Sequence, residues 1–377
     1  MDGAGGVKAA GAVSLYGRIL EAMTDVRVLS FHAGYRCANA GACCTSNWPI
    51  PVEADRHELL RAAIASGALR TVADDPAPFI EHAAAETAET PALLATSHGR
   101  CVFHDPAGRC AIHSALGHDA LPLACRQFPR VSVIDPRGVS VTLSHYCPTA
   151  AALLADTNDG PAHRSAKREG GNDRERQFIL LNSPGFPPHG EYVGLDARTA
   201  LPPLMRPGML LDWESWWKIE QLGVETLLTG GDSPEEALGL IRGAVHALLL
   251  WRPEDGHLID AAHRVFREAG AERIPGPRAL IASTLEAIPD EWRTVARWDI
   301  ASGNSGVPDD LELRRFLAAH AFADWTIHLG GGLMAWVRSI ETALAFIEAG
   351  AGVRQTDLIL RHLIDPRVFA GFMSQRQ

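Results

Sequence analysis

CRQFPRVSVIDPRGVSVTLSHYC, residues 125–147, carries two messages at once. In its middle Val131, Val133, Val139, Val141 and Leu143 alternate with polar neighbours around Asp135-Pro136-Arg137-Gly138. That is the pattern of a β-hairpin with one buried face. Its ends are Cys125 and Cys147, which such a hairpin would bring towards each other.

Outward from this stretch, the chain's seven cysteines, Cys37, Cys43, Cys44, Cys101, Cys110, Cys125 and Cys147, all fall in the first 150 residues of 377. They form groups: Cys37-Ala-Asn-Ala-Gly-Ala-Cys43-Cys44, then Cys101 to Cys110 around Gly108, then Cys125 and Cys147-Pro148. No charged, apolar leader opens the chain and no stretch of some twenty apolar residues follows, so the cytoplasm is the expected compartment, with no membrane partner. In that reducing setting a disulfide framework is disfavoured, and an odd number cannot pair completely within one chain. Thiolates are soft donors suited to zinc, copper(I) or iron-sulfur clusters, which makes metal binding the leading explanation. The competing reading, that these are buried small apolar residues, suits single cysteines better than clusters beside glycine.

Cys43 and Cys44 constrain any metal reading, because adjacent side chains diverge by about 100° on a helix or point to opposite faces of a strand. One cluster or zinc ion needs four protein ligands, so some of the seven have other roles, and the sequence does not select the four. Among nearby histidines, His145 stands out, two residues from Cys147; His32, His104, His113 and His118 are weaker alternatives. Arg126 and Arg130 flank Phe128-Pro129, placed to balance thiolate charge or to bind an anionic cofactor carboxylate.

Composition sets the frame. A hydrophobic fraction of 46% and a charged fraction of 21% belong to an ordinary packed protein, and a net charge of -10 gives no general attraction to nucleic acid. The basic run Arg164, Lys167, Arg168, Arg174, Arg176 is interleaved with Glu169, Asp173 and Glu175, as in a solvated linker. The expected division is a tail over 1–25, a cysteine-cluster metal-binding domain over 26–156, a linker over 157–177 and a helical domain over 178–377. The fold class is mainly α with a small irregular α+β cysteine-rich domain.

Helices are expected over Glu53–Ser66, from Ser233-Pro234-Glu235-Glu236 onward, over Asp309–His328, over Leu333–Ala349 and over Thr356–Ile364, with Gly330-Gly331-Gly332 as a break. Trp213, Trp216, Trp217, Trp251, Trp325 and Trp336 read as core rather than as a substrate pocket. Neither Gly3-Ala4-Gly5-Gly6 nor the triple glycine follows a strand in the manner of a dinucleotide fingerprint.

The cysteine groups resemble a family of cysteine-cluster, zinc- or iron-chelating domains whose first motif is CxxCGxCC, followed by CxF, CxI and CRxFP. Here Cys37-x-x-Ala40-Gly41-x-Cys43-Cys44 follows the first with Ala40 in place of its second cysteine. Cys101-Val102-Phe103, Cys110-Ala111-Ile112 and Cys125-Arg126-Gln127-Phe128-Pro129 follow the others. The likeness runs from about Phe31 to Leu154. Trp48, Leu116-Gly117 and Cys147-Pro148 make it most similar to the flagellin lysine-N-methylase branch. The resemblance implies an iron-sulfur cluster, most readily 4Fe-4S, with transfer of a methyl group from S-adenosylmethionine to the ε-amine of a lysine-containing protein such as flagellin. Two other readings stand beside it: a non-catalytic metal-binding or metal-delivery protein, and a structural zinc module carrying a helical interaction domain.

Overall fold

In the computed structural model residues 130–143, within the 125–147 stretch, form a hairpin at the middle of a six-stranded sheet. The structure describes residues 14–19, 25–46, 48–71, 77–81, 91–156, 178–188, 191–287 and 308–362. The expected linker 157–177, with its basic run, the Gly3-Ala4-Gly5-Gly6 run and the end of the last expected helix lie outside the described residues.

In chain order the strands are β1 (Ser14–Ile19), β2 (Val26–Leu29), β3 (Pro51–Val52), β4 (Phe79–Glu81), β5 (Ala92–Leu94), β6 (Thr96–Ser97), β7 (Arg100–Cys101), β8 (Arg130–Asp135), β9 (Gly138–Leu143), β10 (Ile179–Leu181), β11 (Tyr192–Asp196), β12 (Leu204–Arg206) and β13 (Met209–Leu210). The α-helices are α1 (Ala54–Ala65), α2 (Ala111–Leu116), α3 (Leu123–Gln127), α4 (Pro148–Ala155), α5 (Trp213–Thr229), α6 (Pro234–Leu249), α7 (Leu258–Glu268), α8 (Pro277–Ala287), α9 (Asp310–Ala321), α10 (Leu333–Glu348) and α11 (Val353–His362). The protein is thus mixed α and β, with the strands in small sheets.

The described chain divides into two compact units that interleave in sequence. One contains residues 1–34, 131–143 and 153–377; the other contains 35–130 and 144–152. This differs from a single division within 157–177, and the reason is strand pairing. The large sheet runs β1-β11-β8-β9-β2-β10. The contacts on either side of the hairpin are parallel and distant in sequence: Val26 faces Val139 and Leu195 faces Val133. Part of the expected tail is therefore a strand, β1, paired antiparallel with β11. The segment expected to be helical from 178 opens with four strands before its first helix.

The hairpin is as expected, but its second face is not open. Ser132, Ser140 and Thr142 are buried along with Val133, Val139 and Val141, because helical elements of the same unit cover them. The Thr142 hydroxyl donates to the Ala319 carbonyl (2.9 Å) and the Trp325 indole N–H to the Ser132 carbonyl (3.0 Å).

Among the helices, α6 forms as its sequence dictates. The Ser233 hydroxyl accepts the Glu236 N–H at 3.1 Å, Pro234 fits the first turn, and Leu238, Ile241, Val245 and Leu248 are fully buried. Each such side chain contributes about 1.5–3 kcal/mol through its lost contact with water. Trp216 and Trp336 meet edge to face at 5.7 Å in this core. The helix expected over Asp309–His328 stops at Ala321; Phe322 is extended and Ala323 takes φ +54°. The Ala321 carbonyl freed there accepts the Trp336 indole N–H at 3.0 Å. Arg315, buried on α9, caps the end of α4 by donating to the carbonyls of Leu154 (2.9 Å) and Asp156 (2.8 Å), while its guanidinium lies 5.5 Å from the Phe31 ring.

His328 lies beside this core, its ring 6.2 Å from that of Trp213. Burial, reinforced by the Arg137 charge, pushes its imidazole down to about 4 from an ordinary 6.5. An unfolded imidazole takes up a proton as pH falls through 6.5, whereas the folded one resists until about 4. Stability from this group is therefore full above the first value and lost on descending towards the second. Urea titrations from pH 7 to pH 4.5 are expected to show a steeper loss of stability in the wild type than in His328→Phe. Parallel slopes would remove His328 from this role.

Candidate metal centre

In the cysteine-bearing unit, two hairpin-like loops and two short helices converge on one apolar cluster. Leu60, Val52, Phe103 and Ile112 are its buried centre, with Cys44, Cys101 and Cys110 among them. The first loop places Cys43 and Cys44 on a 3₁₀ turn, closed by the Cys44 N–H to the Gly41 carbonyl at 2.9 Å. Gly41 has φ +66°, and a Cβ there would stand 2.2 Å from the Gly108 carbonyl oxygen, so the first loop rests directly on the second.

The second loop is built by Asp105. Its backbone N–H donates to the Arg109 carbonyl (2.8 Å), and its carboxylate accepts the Arg109 N–H (2.8 Å). This folds Cys101 and Cys110 back towards each other, and His104 pairs with Cys110 as an antiparallel bridge. Helix α1 buttresses the cluster through Leu60; Leu59, expected on the same apolar side, is 39% exposed.

Five of the seven thiols interact here. The neighbouring thiols of Cys101, Cys110 and Cys43, together with burial, push the Cys44 thiol far above the ordinary thiol range. Cys43 moves the other way, lowered chiefly by its bond with Cys44 and helped by backbone N–H groups at Cys43 and Cys44. Cys110 falls to about 7, chiefly through Cys44 and then through the His113 and Ile112 N–H groups at the start of α2. Cys125, on α3, is raised by burial and by the nearby Cys43, Cys101 and Cys110 charges. The adjacent residues Cys43 and Cys44, carried on one 3₁₀ turn, still act on each other's thiols.

The other two cysteines share a different neighbour. The Tyr35 hydroxyl lies 4.0 Å from the Cys147 sulfur, and Cys37 acts on the same phenol, which burial pushes up. The Arg130 guanidinium lies 5.9 Å from the Tyr35 ring. Cys37 is exposed and its sulfur accepts the Asn39 N–H at 3.4 Å; Cys147 is buried. The hairpin base is closed by the Ser144 N–H to the Pro129 carbonyl (2.7 Å), yet Cys125 faces the five-thiol group and Cys147 faces Tyr35.

Arg126 is half-buried on α3, next to Cys125, and its carbonyl accepts from Arg130 at 3.3 Å. His145 is fully buried, and the rings of His113 and His118 contact each other at 5.7 Å. Among the described residues, no three histidine, cysteine, aspartate or glutamate side chains stand in a metal-holding arrangement. The thiols are gathered by the packing of their loops into one apolar cluster. The donor chemistry nevertheless fits a thiophilic ion: soft sulfur ligands, two of them drawn towards thiolate, in a setting that excludes water.

Two residues that organise this unit escaped the sequence reading, Tyr35 and Glu53. Tyr35 stands two residues before Cys37, a spacing that could have flagged it, whereas Glu53 acts on a segment 70 residues away and left no local signal. Compared with known protein families, with curated proteins and with solved structures, the chain matches none. The resemblance stated above rests on its motifs alone. No helix among the described residues is long and apolar enough to cross a membrane.

Proposed function

We propose that this chain is a cysteine-ligated metal protein, with an iron-sulfur cluster of the 4Fe-4S type favoured over zinc. The observation that carries the reading is the gathering of Cys43, Cys44, Cys101, Cys110 and Cys125 from four separate segments into one apolar cluster. Five soft donors exceed what one cluster or one zinc ion requires. A bound cluster would supply electron transfer or Lewis-acid chemistry, and zinc would supply cross-linking of loops.

The chain's own residues exclude water through Leu60, Phe103 and Ile112, and hold Cys43 and Cys110 towards thiolate. The motif resemblance extends the reading to a cluster-bearing protein methylase using S-adenosylmethionine, with a lysine-containing protein such as flagellin as acceptor. Arg126, beside Cys125, is the residue proposed to meet a cofactor carboxylate.

The test is iron, zinc and acid-labile sulfide content, with a visible spectrum, on protein purified without oxygen and on Cys110→Ala, Cys125→Ala. Iron with sulfide in the wild type, lost in the double variant, is the expected result, and methyl-transfer assays on lysine-containing proteins follow from it. Zinc without sulfide would replace the cluster by a structural metal, and neither metal would end the reading.

A further inference from the structure

Helix α3 carries both Cys125 and Arg126, yet it is only five residues long and its N-cap, Pro122, has no side chain able to cap it. The first N–H of the helix, that of Leu123, is met by Glu53: both carboxylate oxygens lie 3.1 Å from it. Glu53 stands at the N-cap position of α1 but makes no side-chain cap there; its carboxylate serves α3 instead. It directly follows β3, which leads on from the Cys43–Cys44 turn. One side chain thus ties the segment after the first cysteine group to the helix that bears Cys125.

We propose that Glu53 is the positioning residue of the thiol group, fixing α3 so that Cys125 stands against Cys43, Cys101 and Cys110. This rests on the metal reading given above. A carboxylate accepting from a helix N-terminus makes a charge-assisted bond and opposes the positive end of the short helix. Without it the first turn of α3 has an unmet donor and no substitute cap. Cys125 then loses its fixed place, although no thiol has been altered.

The test uses the full chain, metal-free under reducing conditions and again loaded with cobalt(II) as a spectroscopic probe. In Glu53→Ala the iodoacetamide modification of Cys125, read by peptide mass spectrometry, is expected to rise about tenfold, the equivalent of one charge-assisted hydrogen bond. Cys101 is expected to stay within about twofold of wild type, since its loop makes no use of that bond. The sulfur-to-cobalt charge-transfer band should weaken by one thiolate's share. Glu53→Gln, which keeps an acceptor oxygen but not the charge, should restore part of both readouts, something a general loss of folding would not allow.

Leu123→Pro approaches the contact from the other side. Proline is tolerated at the first helical position but removes the N–H that Glu53 meets, and Pro122 already holds the extended conformation that a following proline requires. It should raise Cys125 modification as Glu53→Ala does, and the two together should add little. Unchanged Cys125 reactivity in Glu53→Ala and Leu123→Pro overturns the inference while leaving metal binding intact. Failure of the wild type to take up cobalt, zinc or iron overturns the metal reading, while the alkylation result still decides the role of Glu53.

Discussion

Arg137→Leu is expected to lower the stability of the sheet-and-helix unit by about 3–5 kcal/mol at pH 7, the cost of leaving buried carboxylates without their counter-charge. Arg137 sits in the hairpin turn and reaches inward. Its guanidinium donates to Glu220 at 2.6 Å and to Asp135 at 3.1 Å, both carboxylates being almost completely buried. It also lies 5.2 Å from the Trp217 ring, whose indole N–H donates to Asp135 at 3.2 Å. The other Glu220 oxygen accepts the Ala323 N–H at 3.0 Å, and Arg27 donates to the Arg137 carbonyl at 2.6 Å. Leucine fills much of the arginine's stem but returns none of these bonds.

The pH dependence separates lost charge from lost packing. Burial already pushes the Asp135 carboxyl above its usual range despite Arg137. Removing Arg137 raises it further, so the penalty is present where the unfolded carboxyls are ionised, above about pH 4. It shrinks as pH falls through the raised folded value and Asp135 takes up a proton. Urea denaturation followed by tryptophan fluorescence reports on this unit, which contains Trp213, Trp216, Trp217, Trp251, Trp325 and Trp336. A loss that is the same at pH 5 and pH 7 would mean packing alone. Adding Asp135→Asn and Glu220→Gln to Arg137→Leu should recover part of the stability, because amides are cheaper to bury than unpaired charges.

Arg137 also illustrates how far the sequence could be read. The turn Asp135-Pro136-Arg137-Gly138 is legible as a turn because proline, glycine and the alternating valines act within a few residues. That its arginine points into a helical core is not, because Glu220 lies 83 residues away. Helix α6 shows the legible extreme, since cap, first-turn proline and apolar spacing are all local. The early end of α9 shows the opposite: no glycine or proline marks Phe322, and the break is stabilised by Asp324, which accepts from Thr326 and Ser339, and by the Trp336 indole. The parallel pairings of β2 with β9 and of β8 with β11 follow from tertiary packing of short strands with ordinary composition.

For the cysteines, local spacing revealed the groups but not their partition. Five cysteines share one apolar cluster, while Cys37 and Cys147 meet at a tyrosine, and this depends on which loop rests on which. Gly41 governs that contact, and it is the position where one methyl group should matter most for the site.

Gly41→Ala is expected to expose the thiol group and to cost more than 3 kcal/mol, combining two penalties of different origin. The backbone penalty is about 1–2 kcal/mol for placing an L-residue in the left-handed region. The second is steric: the added Cβ would meet the Gly108 carbonyl oxygen at 2.2 Å and the His104 ring nitrogen at 3.1 Å, and the carbonyl belongs to backbone that cannot swing aside. The 101–110 loop must therefore move off the Cys43–Cys44 turn. Cys44, Cys101 and Cys110, each less than one-tenth exposed, should then react with a thiol reagent in the native, metal-free protein. Gly108→Ala supplies the control, since it has φ +79° but nothing within 4 Å of an added Cβ. It carries the backbone penalty without the clash, so it should leave the buried thiols protected at a cost of about 1–2 kcal/mol. Equal exposure in the two variants would mean that the left-handed turn, and not the contact between loops, holds the cysteines together; exposure confined to Gly41→Ala assigns that role to the contact.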